Sequence, residues 1–183
     1  MGMKHRLVRA LRLDASVYGA LRDDHRAWGQ AVVVVLAVAL SHGLGALLRA
    51  RSQPYSERPW LTFLFGFQGE ILLWLGISAS VYLAARLLSR QAASFGQVAR
   101  PLGFAVSPGL GVVVAGALSS FGISATPVLV LLGVWRLAAS FVAVKHGLAT
   151  TSRAATAWLL VGIVGGIALM AGGTALLNYA TQR

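Results

Sequence analysis

The run AVVVVLAVALSHGLGALL, residues 31–48, holds eighteen residues without a charge. About 20 apolar residues in a helix, rising 1.5 Å each, cross the hydrocarbon layer of a bilayer. Four more apolar runs follow, at residues 60–88, 101–118, 127–148 and 156–177. The whole chain agrees with that reading: 57% of its 183 residues are hydrophobic and 11% are charged. Soluble domains average about 45–50% apolar and about 25% charged. Peptide groups inside hydrocarbon must find partners within their own segment, so the spans are helices. The fold class is therefore all-α, an integral membrane bundle of about five transmembrane helices. No long linker and no repeat divides it, so residues 1–183 read as one domain.

Working outward, the segment ahead of the first run decides whether that run is retained. Ala37-Val38-Ala39 has the small-residue form of a signal-peptide cleavage site. A secretory leader, however, has a short basic start. Here some thirty residues precede the run, and they include Asp14, Asp23 and Asp24. The run is read as a retained span. Residues 1–28 form the amphipathic stretch: Leu7, Leu11, Val17, Tyr18 and Leu21 recur at helical spacing, with Arg6, Arg9, Arg12, Arg22 and Arg26 between them. Such a helix suits a lipid headgroup layer, and the plainer alternative is a cap on the bundle.

The net charge is +11, from 16 Lys+Arg against 5 Asp+Glu. In a soluble protein that balance suggests nucleic acid. Here the basic residues flank spans, so anionic lipid is the expected partner and nucleic acid is not. Lys4, Arg6, Arg9, Arg12, Arg22, Arg26, Arg86, Arg90, Arg100, Lys145 and Arg153 fall on one side of the membrane. Arg49, Arg51, Arg58 and Arg183 fall on the other. The richer side is cytoplasmic, which puts the N-terminus inside and the C-terminus outside.

Two ionisable residues lie deep in apolar runs: Glu70 in FQGEIL, residues 67–72, and Arg136 in LGVWRL, residues 132–137. Each costs roughly 2.5–3.5 kcal/mol near the bilayer centre unless it meets a partner or water. Glu70 lies roughly 15 Å past Trp60, and Arg136 roughly 14 Å past Pro127, both counted from the outer side. The matching depths predict an intramembrane ion pair. The other reading is a polar site for a proton or cation. Pro108, with Gly103, Gly109 and Gly111 around it, marks a helix break or kink in the third span. Ser41–Gly45 and Gly162–Gly166 have the small-xxx-small spacing of closely packed helices. Trp28, Trp60, Trp158 and Tyr179 are expected as interfacial anchors, and Trp74 and Trp135 as packing residues at mid-depth.

Enzyme chemistry finds little support. Cysteine is absent. His5, His25, His42 and His146 show no metal-ligand spacing, and His42 and His146 are expected near span ends. Gly109-x-Gly111 lacks the Lys-Ser/Thr of a phosphate loop. Carboxylates are too few for a paired acid–base site. No catalytic residue, metal or cofactor is expected.

Several short motifs occur in a telling order. They are Leu11-Arg12-Leu13-Asp14, Tyr18 and Gly29-Gln30-Ala31 ahead of the first span; Trp74, Tyr82 and FGQVARPLGFAVSP at 95–108; then Val134-Trp135, VAVKHGL at 142–148 and Ser152-Arg153-Ala154. In this order and spacing, across nearly the whole chain, they resemble bacterial members of the Yip-domain family, the Ypt/Rab-interacting membrane proteins. That resemblance implies a five-span domain with a cytoplasmic N-terminus in the inner membrane of a bacterial cell. It does not imply the vesicle-traffic role of eukaryotic members. The Tyr-Gly-Pro-type motif before the first span and a long cytoplasmic arm are both missing, and Pro59-Trp60 stands in the wrong place to replace the motif. The functional expectation is a non-enzymatic membrane protein that binds lipid or another membrane protein, or a second copy of itself, as an organising or accessory subunit. The alternative is a small-solute or ion transporter or channel using Glu70 and Arg136.

Overall fold

A computed structural model of the chain describes residues 2–51, 58–89 and 93–181. Pro54, Arg90 and Arg183, and with them parts of the expected loops and tail, lie outside the described residues. The described residues form α1 (Met3–Leu11), α2 (Ala15–Asp23), α3 (Ala27–Arg51), α4 (Pro59–Ser89), α5 (Phe95–Ala105), a 3-10 turn (Ser107–Gly111), α6 (Val112–Ser120), α7 (Thr126–Gly147) and α8 (Ser152–Thr181). No strand occurs among them. Five segments are long and apolar enough to cross a membrane: Ala27–Ala50, Pro59–Leu88, Phe95–Ser120, Thr126–Gly147 and Ser152–Thr181.

The amphipathic stretch at the N-terminus is two helices rather than one. Leu13 takes a left-handed backbone, φ 58°, which is costly for a branched side chain and ends α1. Asp14 then caps α2 by accepting from the Ser16 backbone N–H at 3.0 Å. Arg9 Nε donates to the same carboxylate at 2.7 Å, so one side chain fixes both sides of the corner. The apolar face of α2 is covered by protein: Val17, Tyr18 and Leu21 are fully buried against α5 and α7. The Tyr18 hydroxyl donates to the Ala10 carbonyl, and burial raises its pKa. The hairpin is thus part of the bundle.

The Arg9 and Ser16 bonds draw the Asp14 carboxyl down from 3.8 to about 2. A depressed carboxyl gives stability that is complete above its unfolded pKa and fades as pH falls towards the folded one. The α1–α2 corner is therefore expected to hold unchanged from neutral pH to about 4 and to loosen only between about 4 and 2. Because the chain has no cysteine, spin labels on single cysteines at Val8 and Ala20 can report that distance directly. Loosening already near neutral pH would refute it.

The burial of α3 has helical period: Ala27, Ala31, Val34, Val35, Val38 and Ser41 face inward, while Val33, Leu36, Leu40 and Leu44 are exposed. α5 is the central helix, with every residue from Val98 to Ala105 buried. It begins six residues before the expected span start at Pro101, at a capping box made by Ser94 and Gln97. Trp74 packs inside, its indole N–H donating to the Ala99 carbonyl. α8 lies along α4 and leaves Leu160, Val164, Ile167 and Leu176 on the outer surface.

Candidate functional site: an ion pair inside the bundle

α4 contributes Glu70 and α7 contributes Arg136. The Glu70 carboxylate accepts from both ends of the guanidinium, Nη1 to Oε2 at 2.7 Å and Nη2 to Oε1 at 2.8 Å. This fork geometry satisfies two acceptors and two donors at once. The Glu70 side chain is 1% exposed and that of Arg136 is 16%. Two glycines let α3 close on α4 beside the pair. A Cβ on Gly66 would fall 2.8 Å from the His42 carbonyl oxygen, and one on Gly43 2.9 Å from the Phe63 carbonyl oxygen. Gly66 lies one turn before Glu70, on the same helix face.

That approach brings in a residue the sequence reading put elsewhere. His42, expected near a span end, turns inward, and its Nε2 lies 3.7 Å from Glu70 Oε2. α3 continues to Arg51, so His42 is well inside it. The His42 Nδ1 lies 3.1 Å from the Val38 carbonyl. A carbonyl can only accept, so this bond needs the proton on Nδ1. Nε2 is left facing the carboxylate, too far for a direct hydrogen bond. A cavity of about 170 Å³ adjoins the group, lined by His42, Gly109, Val112, Leu132, Gly133 and Arg136.

Pro108 sits next to this centre. It opens the 3-10 turn that separates α5 from α6, and its missing N–H disturbs the helix ladder. Ser41 mends the ladder from α3. Its hydroxyl donates to the Leu110 carbonyl at 2.9 Å and accepts from the Val113 N–H at 3.0 Å. Hydroxyl side chains commonly re-satisfy backbone groups freed at such breaks in membrane helices. Ser41→Ala is expected to cost about 1–3 kcal/mol, because it orphans two part-buried backbone groups at the helix break. Thermal unfolding in detergent would measure it, and a variant as stable as the parent would remove Ser41 from this role.

The other expected site residues separate clearly. Trp60 and Tyr179 are 54% and 59% exposed, at the start of α4 and the end of α8. Trp28 is partly exposed, with its ring against Trp74 and Phe95. Trp158 is 3% exposed and belongs to the core, so it is not a lipid-facing anchor. α8 starts at Ser152 and carries Trp158 nearly two turns inward. Trp135 is half-buried and donates its indole N–H to the Leu11 carbonyl, tying α7 to the end of α1.

Among the described residues no group of three metal-ligating side chains occurs. Fold and composition define a multi-pass helical membrane protein. No protein-family model, curated protein or solved structure matches the chain.

Proposed function

We propose that the chain is a non-enzymatic organising or accessory subunit of a bacterial inner membrane. It would bind lipid or another membrane protein, or a second copy of itself, through its outer surface, with its N-terminus cytoplasmic and its C-terminus outside. The observation that carries this reading is the closure of the ion pair. Both Glu70 oxygens are taken by Arg136, so this buried carboxylate is spent on holding α4 to α7. The apolar outer faces of α7 and α8 then offer the contact surface. The proposed orientation and location rest on the resemblance to bacterial Yip-domain proteins and on the excess of Lys and Arg on the N-terminal side.

Gentle extraction of the tagged protein from its native membrane into nanodiscs, followed by mass spectrometry, tests the reading. A stoichiometric membrane protein or retained lipid is the expected result. A chain recovered alone and free of lipid would overturn it. One observation favours the transporter alternative: His42 and the cavity beside Arg136 place a second titratable group at the pair. Solute or proton flux in proteoliposomes that is lost in Glu70→Gln would choose that alternative.

A further inference from the structure

At the end of the bundle that carries the N-terminal hairpin, a second guanidinium is buried without a carboxylate partner among the described residues. Arg100 on α5 is 3% exposed. Its Nη2 donates to the Arg22 carbonyl, and its Nη1 lies 3.3 Å from His25 Nδ1. Its Nε is buried without a hydrogen-bond partner. Neither of its partners carries negative charge to balance it. The carboxylates among the described residues are engaged elsewhere: Asp14 with Arg9, Asp24 with Arg6, Asp23 with Arg22 and Glu70 with Arg136. Asp23 and Asp24 act on Arg100 only from a distance. Arg6, Arg22, Arg26 and Arg100 stand around the two aspartates Asp23 and Asp24, leaving a positive surplus there. A buried charge with no counter-ion at its side is costly, and an external anion removes that cost.

The same guanidinium lines an open pocket of about 420 Å³, with His25, Trp28, Ser94, Phe95 and Gly96 around it. Phe95 and Gly96 form the first turn of α5, where backbone N–H groups have no intrahelical acceptor and the helix dipole favours an anion. The wall is aromatic: Trp28 packs edge-on against Phe95 with ring centroids 6.3 Å apart. A cationic floor under aromatic walls, at the start of the first and third spans, matches a headgroup joined to acyl chains.

We propose that this pocket binds the phosphate of an anionic phospholipid, with Arg100 and His25 on the phosphate and Trp28 and Phe95 against its glycerol and upper acyl carbons. The inference deepens the lipid-binding part of the proposed function and gives it a location.

The full chain, reconstituted in nanodiscs of phosphatidylcholine with a minor fraction of phosphatidylglycerol, is released gently, and native mass spectrometry counts the retained lipid. The parent is expected to keep one phosphatidylglycerol per chain. Arg100→Gln removes the main ligand and is expected to lower retention roughly tenfold, as loss of a charge-assisted hydrogen bond does. Should that variant fail to fold, His25→Glu decides alone: His25 is exposed, and a carboxylate there would occupy Arg100 and displace the lipid. Arg153→Gln, at the exposed start of α8, should leave retention unchanged. Equal retention in parent and His25→Glu, or none in the parent, would overturn the proposal. Displacement of the lipid by excess inorganic phosphate would overturn the lipid source and leave a free-phosphate site. A missing protein partner in the native-membrane experiment would leave all these outcomes untouched, so the two readings fail separately.

Discussion

Truncating either half of the Glu70–Arg136 pair should strip the protein of most of its stability, while exchanging the two charges should restore it. Removing one member of a buried pair typically costs about 3–5 kcal/mol, because the other is left charged and unpaired. In hydrocarbon the stranded charge alone costs roughly 2.5–3.5 kcal/mol. A loss of about 3 kcal/mol is roughly a hundredfold in the ratio of folded to unfolded protein. The two single variants should differ. Arg136 keeps 16% of its side chain exposed, and a long stem can carry its charge towards water. Glu70 is 1% exposed, and the other titratable side chain beside it among the described residues, His42, stands 3.7 Å away, too far for a direct hydrogen bond. Arg136→Met should therefore cost more than Glu70→Gln. The swap Glu70→Arg with Arg136→Glu keeps the fork and should recover most of the loss. Replacing both by Leu should also be tolerated, since apolar isosteres often match a buried pair. The readout is the fraction of each variant that stays monodisperse in detergent across a thermal ramp. Single variants as stable as the parent would remove the clasp from the account of the fold.

The sequence made this pair legible for a simple reason. A charge inside an apolar run has no local explanation, and two such charges at equal depth explain each other. His42 had no such contrast. A histidine near the end of a run is read as interfacial, and the direction of its ring depends on how closely α3 meets α4. That closeness comes from Gly43 and Gly66, which are 23 positions apart and carry no mark that they face each other. Trp158 failed for a related reason: an aromatic near a span end serves a membrane belt or a core equally well, and only the earlier start of α8 at Ser152 decides between them. Two helix starts carry local signals that the longer patterns conceal. Asp14-x-Ser16 is a helix cap, but the helical spacing of apolar residues runs straight past it. Ser94-x-x-Gln97 is a capping box, but hydropathy points to Pro101 as the start of the third span. Ser41 was visible as a small residue suited to close packing. Its role as a bridge over the break at Pro108 needed the third span laid beside the first.

A single side chain at Gly76 should separate α8 from the bundle. α8 is the span least covered by protein, with 17% of its apolar window buried, and α4 is its main neighbour. The contact is made by backbone meeting backbone. A Cβ on Gly76 would fall 2.6 Å from the Gly166 Cα and 3.1 Å from the Gly165 carbonyl oxygen. On the other side, a Cβ on Gly162 would meet Val81 at 2.8 Å, and one on Gly166 would meet Ile77 at 2.7 Å. Gly162 and Gly166 are the small-xxx-small pair seen in the sequence, and α4 answers them with Gly76. Because the obstructing atoms at Gly76 belong to the opposite backbone, they cannot move aside as a flexible side chain would. Overpacking a well-fitted interior costs about 1–3 kcal/mol, and Gly76→Leu belongs at or above the top of that range. The matched control is Gly172→Leu, where a Cβ meets nothing within 4 Å. There the gain in helix propensity, up to about 1 kcal/mol over glycine, should leave stability equal or slightly higher. Titration of both variants with a denaturing detergent, followed by the loss of helix–helix contact between labels on α4 and α8, separates the two sites. If Gly76→Leu unfolds no earlier than Gly172→Leu, α8 is held by something other than this glycine seam. If it unfolds earlier and α8 leaves first, the seam is what keeps the fifth span on the other four.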